Sequence, residues 1–168
     1  MIKLIACIGP NGELGKDNDL VYHNKEDMAF FRQTTMNSIV VMGKNTFLSL
    51  DSKMLPHRVN VVLSEEKLDV PGLVQFNNKT LKQVLQYLQS INYADNDIYI
   101  IGGAYIYNQA IKEGLADELL LTTMHDKVDA DTFIDIKQIK EKYEISHILD
   151  SVKENGKVVG EIVKLQRR

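Results

Sequence analysis

Apolar residues along this chain fall into two patterns. Short unbroken runs alternate with stretches in which apolar positions recur every three or four residues. IKLIACI (2–8) is a short apolar run that stops at Gly9-Pro10, and it predicts a buried strand. SIVVMG (38–43), VNVVLS (59–64), LVQF (73–76), residues 98–101 and ELLLTTMH (118–125) predict five more. Residues 25–35 predict a helix with Met28, Phe31 and Thr35 on one face, Asn24 as N-cap and Asp27 in the first turn. KNTFLSL (44–50) predicts a short helix directly after the second strand. TLKQVLQYLQS (80–90) turns Leu81, Val84, Leu85 and Leu88 inward. Residues 104–113 predict a further helix, with Gly114 as its C′ residue. YEISHILD and VVGEIVKLQ flank Asn155-Gly156, which predicts a closing antiparallel hairpin. Residues 9–23, rich in Gly, Asn and Asp, read as one long loop, and long loops in compact domains tend to be functional.

Strands alternating with helices imply an α/β fold: a mainly parallel twisted sheet with helices on both faces and a C-terminal antiparallel hairpin. The 168 residues suit a single domain, 1–168, and 44% hydrophobic against 26% charged content allows a real core. Ligands in such sheets sit at the carboxyl ends of the strands. Gly9, Gly43 and Gly102-Gly103 therefore converge on one candidate crevice.

Net charge is −3 with no dense basic stripe, which argues against a nucleic-acid partner. No apolar run approaches the ~20 residues of a membrane-spanning helix. The strand-like N-terminal segment does not read as a signal peptide. The single Cys7 cannot form an internal disulfide, which fits a reducing, cytoplasmic setting. His23, His57, His125 and His147 are scattered without metal-ligand spacing, so no metal is expected.

Asp27 is the first candidate for chemistry. An acid in a first turn commonly does no more than cap the helix. Here it borders Met28 and Phe31, and a carboxylate beside an apolar wall suits a cationic or amidine-like group. No nucleophilic triad is arguable from spacing, so the chemistry is expected to come from an organic cofactor. GKNTFLSL (43–50) and Gly102–Ala104 both open helices with free N–H groups, which attract phosphate. Neither is a Walker or G-x-G-x-x-G sequence, and each is weak alone. Two such turns in one crevice suit a pyrophosphate.

Taken together, MIKLIACIG, the acid-bearing HNKEDMAFFRQTT, IVVMGKNTFLSL, LPHRVNVVLS, IYIIGGAYIYNQA, LLLTTMHDKVDADTF and the closing LQRR resemble dihydrofolate reductase over essentially the whole chain. The resemblance implies NADPH-dependent reduction of 7,8-dihydrofolate, with hydride passing from nicotinamide C4 to pterin C6 and a proton reaching N5. It implies antifolates as inhibitors and a monomer. It also implies a cis Gly102–Gly103 bond and carbonyls of Ile5 and Ile101 offered to the pterin side. Asp27 would bind the pterin 2-amino and N3 edge, with Thr122 hydrogen-bonded behind it. Leu20 would lie on a loop over the nicotinamide, and Tyr22 beside the acid. Cys7, Met28, Phe31, Leu50 and Leu55 would wall the folate site, and Arg58 would clamp its glutamate carboxylate. Ala6, Cys7, Leu14, Gly15, Gly43, Lys44, Asn45, Thr46, Leu63, Ser64 and Glu65 would surround one side of the dinucleotide. Ile101, Gly102, Gly103, Ala104, Tyr105, Ile106, Tyr107 and Gln109 would surround the other.

Two departures bear on this reading. Val21-Tyr22 stands where the family usually has Pro-Trp, and the chain has no tryptophan. Glu65-Glu66 follows Ser64 where neutral or basic residues often bind the adenosine 2′-phosphate, so the preference for NADPH over NADH is expected to be modest. The riboflavin-pathway pyrimidine reductases share the fold and cofactor but have no use for Asp27 with Met28 and Phe31 behind it. A non-catalytic folate binder draws support only from Val21-Tyr22.

Overall fold

The computed structural model describes residues 1–92 and 95–168. The chain opens with β1 (Ile2–Ile8), β2 (Glu13–Lys16), β3 (Asp19–Leu20) and α1 (Lys25–Thr35). It continues through β4 (Ile39–Gly43), α2 (Lys44–Ser49), β5 (Val59–Leu63), β6 (Val74–Phe76), α3 (Leu81–Ile91), β7 (Ile98–Ile100) and α4 (Ala104–Lys112). It ends with β8 (Glu118–Met124), β9 (Thr132–Phe133), α5 (Ile136–Lys142), β10 (Tyr143–Glu154) and β11 (Lys157–Arg167).

Eight strands form one sheet in the order β10-β11-β8-β1-β7-β4-β5-β6. β8, β1, β7, β4, β5 and β6 run parallel, and the β10–β11 hairpin joins antiparallel to β8. The mixed α/β architecture is as the strand–helix alternation predicts. Successive side chains on a strand face opposite ways, and that splits the core in two. Leu4, Val41, Val61, Ile100 and Leu119 face α3, α4 and α5. Ile5, Val40, Met42, Val62, Ile101 and Leu120 face the side where Phe31 of α1 and Phe47 of α2 pack.

Local signals set the helix starts. Asn24 Oδ1 accepts from Asp27 N at 2.9 Å, so α1 begins at Lys25. Thr80 and Gln83 form a reciprocal capping box on α3. Gly114, at φ +64°, closes α4 as its C′ residue.

Residues 9–23 are not one unbroken loop. β2 pairs with β3 and with β9 in a second, three-stranded sheet, order β3-β2-β9. The strands are only two to four residues long, and β9 joins β2 from more than a hundred positions away, so no local periodicity marks them. α5 was likewise not marked: in IKQIKEK only two positions are apolar, and Asp135 starts it by accepting from Gln138 N at 3.1 Å. Among the described residues, no helix is long and apolar enough to cross a membrane.

Candidate active site

A cleft of about 860 Å³ opens at the carboxyl ends of the central strands. That is the upper part of the range for small-molecule and cofactor sites, ~300–1,000 Å³. The cofactor residues expected from the sequence all line it except Ala6, whose methyl group is packed in the main core. Gly9 also lies outside it. A Cβ on Gly9 would meet the Tyr22 hydroxyl and the Glu13 carboxylate, so this glycine serves loop packing rather than ligand approach. Leu20, 61% exposed, stands at the cleft's lip with Asn18 and Asp19.

The floor is the turn from β7 into α4. The Gly102–Gly103 bond is cis, as the resemblance implied. Gly102 takes φ +118°, a backbone region L side chains rarely adopt. A Cβ there would press on Tyr107 at 3.2 Å, and one on Gly103 would press on Thr46 Oγ1 at 3.2 Å. The Gly102 carbonyl accepts from Gly43 N at 2.9 Å, locking the two glycine turns together. α4 has no side-chain cap, so its first-turn N–H groups lack an intrahelical partner and open on the cleft wall at Ala104 and Tyr105. These features fit a dinucleotide pyrophosphate at the end of a nine-residue helix.

The cleft's outer end departs from expectation. Lys44 Nζ is paired with Glu66 Oε2 at 2.8 Å, and Glu65 lines the cleft beside it. Ser64 Oγ donates to the Glu66 carbonyl at 2.9 Å and accepts from Glu66 N at 3.1 Å. Its hydroxyl is thus engaged within its own turn.

Asp27, the third residue of α1, is not itself on the cleft wall; it hydrogen-bonds Cys7, which is, and meets β8. The Thr122 hydroxyl donates to Asp27 Oδ1 at 2.6 Å. Burial raises the Asp27 pKa, and the hydrogen bonds from Thr122 and from the Cys7 thiol pull against that rise. Burial, then the Asp27 charge, pushes the Cys7 thiol far up, so it stays protonated. Cys7 therefore joins Asp27 as an ionisable neighbour of the expected pterin position, as an uncharged donor. Tyr22 stands where the family usually has its indole. Its hydroxyl donates to the Asp126 carbonyl at 2.6 Å and ties the loop to residues after β8. Burial and the nearby Glu13 charge push its pKa up to about 12. The Ile5 carbonyl accepts from the buried Tyr107 hydroxyl at 2.7 Å.

Phe31, Leu50 and Leu55 pack on the second core cluster with Ile5 and Ile101, while Met28 stands at the rim, 57% exposed. Arg58 Nε is buried without a hydrogen-bond partner among the described residues. Burial and the nearby Arg32 charge lower the Arg58 pKa. Two guanidiniums held close, one with an unused donor, suit a carboxylate-bearing tail. Two residues here were not singled out from the sequence. Arg32 was one of several surface cations. Asn60 is 1% exposed in an apolar strand, and that single polar break was its only signal. Its Oδ1 accepts from Leu55 N at 2.8 Å and its Nδ2 donates to the Leu55 and Arg58 carbonyls at 2.9 and 3.0 Å. Asn60 thus fixes the loop that carries both Leu55 and Arg58.

Comparison with known proteins agrees with this arrangement. A sequence model described as dihydrofolate reductase matches residues 1–166. The chain is 35% identical to the dihydrofolate reductase of Ureaplasma parvum serovar 3 over 136 residues, 81% of this chain and 83% of that protein. It is 32% identical to that of Haemophilus influenzae over 130 residues, 77% and 76% of the two chains. The fold matches a dihydrofolate reductase from Enterococcus faecalis, complexed with NADP(H) and RAB-propyl, with a TM-score of 0.83 at 23% identity over 100% of this chain and 96% of the other. With the family sequence matched over residues 1–166 and the glycine turn set in the cleft, this chain belongs to the dihydrofolate reductase family.

Proposed function

We propose that this protein reduces 7,8-dihydrofolate to 5,6,7,8-tetrahydrofolate with NADPH, and that Asp27 is its acid–base residue. The observation that carries the reading is the Asp27–Thr122 pair, 2.6 Å apart, hydrogen-bonded through Asp27 to Cys7, which lines a cleft large enough for a dinucleotide. NADPH supplies the hydride that pterin C6 accepts. Asp27 offers a carboxylate to the planar N–H donors of the pterin 2-amino and N3 edge, a two-point contact that orients the ring. Its raised pKa brings a proton within easier reach near neutral pH, which favours protonation at N5. The protonated Cys7 thiol and the Thr122 hydroxyl hold the carboxylate in that orientation. Phe31, Leu50 and Leu55 exclude water from the ring. Arg58, with Arg32 beside it, clamps the substrate's glutamate carboxylates and contributes binding remote from the reacting atoms. Leu20, at the cleft's lip, would cover the nicotinamide, and the N–H groups of the α4 N-terminus would hold the pyrophosphate.

The reading takes the protein to act as a monomer in the cytoplasm, without nucleic-acid or membrane partners. Oxidation of NADPH on adding dihydrofolate, blocked by an antifolate, is the expected result. NADPH oxidation that does not depend on dihydrofolate overturns the assignment. Tight antifolate binding without turnover leaves a folate binder instead.

A further inference from the structure

The outer end of the cleft carries the marks of two different cofactors. Sites that take a ribose 2′-phosphate supply cations, and sites that take a free 2′-hydroxyl supply a carboxylate to accept from it. Lys44, Ser64, Glu65, Glu66, Asn78 and Lys79 line this end, and their formal charges cancel. The segments are neighbours in space, since Ser64 N donates to the Phe76 carbonyl at 3.0 Å. Lys44 is already paired with Glu66 at 2.8 Å, and the Ser64 hydroxyl is already engaged with the Glu66 backbone. A 2′-phosphate must share the three Lys44 donors with Glu66 and sit beside that carboxylate. A 2′-hydroxyl leaves the pair intact. It can donate to Glu66, whose Oε1 meets no hydrogen-bond donor among the described residues.

We propose that the site accepts NADH as well as NADPH, and that Glu66 is the residue that holds the preference between them down. This rests on the dinucleotide reading of the cleft. Glu66 is 70% exposed, so Glu66→Gln should leave the fold unchanged, and circular dichroism checks that it does. Screened pairs of this kind change binding by modest factors.

Dissociation constants of the purified protein for NADPH and NADH, measured by calorimetry, test the proposal without relying on turnover. NADH is expected to bind within about tenfold of NADPH in the wild type. Glu66→Gln should tighten NADPH about three- to tenfold and leave NADH unchanged or slightly weaker. The effect on NADPH should shrink as salt is raised. If Glu66→Gln leaves the ratio of the two constants unchanged, or the wild type already prefers NADPH by more than a hundredfold, the proposal is overturned while the cofactor reading stands. If neither dinucleotide binds, the cofactor reading falls and this one with it.

Discussion

Replacing Asp27 with Asn keeps the side chain's shape and removes its charge. The Thr122 hydroxyl, 2.6 Å from Oδ1, can donate to the amide oxygen instead, so the local structure should persist. What disappears is an acceptor for two ring N–H groups and the group that shares a proton with the ring. Loss of a positioned acid–base group lowers turnover by a factor on the order of 10²–10⁴. At 1.36 kcal/mol per tenfold, that is about 2.7–5.4 kcal/mol of barrier. Partial recovery is expected at low pH, where protonated substrate is more abundant. The same variant should be more stable at neutral pH. Burial raises the Asp27 pKa above its ordinary 3.8 despite two hydrogen bonds that lower it. A carboxyl whose folded pKa is raised contributes stability that is fully present below its unfolded pKa. That contribution is lost as pH rises through the folded pKa. Asn carries no such penalty, so the variant's Tm should exceed the wild type's near pH 7, and the gap should close toward pH 4. Steady-state NADPH oxidation and thermal melts across pH measure both effects. Near-wild-type turnover at neutral pH refutes the role of Asp27, and a lower Tm at pH 7 refutes the desolvation argument.

Arg58→Ala should raise the KM for dihydrofolate about ten- to hundredfold, the range for losing charged hydrogen bonds, with kcat nearly intact; an equal effect on a folate analogue without the glutamate tail contradicts the clamp. Asn60→Ala removes three hydrogen bonds of 2.8–3.0 Å from a buried site and frees the Leu55–Arg58 loop. It should lower stability by about 2–4 kcal/mol and raise KM more than it lowers kcat, as denaturant melts and kinetics together would report. Thr122→Val deletes the hydrogen bond that lowers the Asp27 pKa, so the pH–rate profile should move to higher pH; a profile that stays in place means the bond does not reach the reacting group. Tyr22→Phe breaks the bond to the Asp126 carbonyl and should cost about 0.5–1.5 kcal/mol of stability while turnover stays within about threefold; a much larger loss of turnover returns Tyr22 to the catalytic set.

Much of the fold was legible because it depends on near neighbours. Asn24 and Asp27 are three residues apart, so the cap and the start of α1 are written in the local chain, and the observed Lys25–Thr35 helix is the predicted one. The apolar runs gave the central strands, although whether a run faces one core or the other was not readable from them. β2, β3, β9 and α5 escaped because their few apolar positions carry no usable period. At the site, the glycine turn and the acid were visible as residues. Their family roles came from the resemblance of whole segments rather than from any one position.

The sequence by itself determined where helices begin, which runs must be buried, and that an acid stands beside an apolar helix face. Caps, periodicity and glycine turns act within a few residues, so the chain specifies them locally. Only the tertiary structure decided what those residues meet. Thr122 reaches Asp27 across 95 positions because β8 lies beside β1 in the sheet, and Tyr22 reaches the Asp126 carbonyl across 104. The turn after β5 likewise brings Glu66 onto Lys44. Such pairings are set by which strands neighbour one another and which way each side chain points. Both follow from packing the sheet's two faces at once, and neither is encoded in any short stretch of chain.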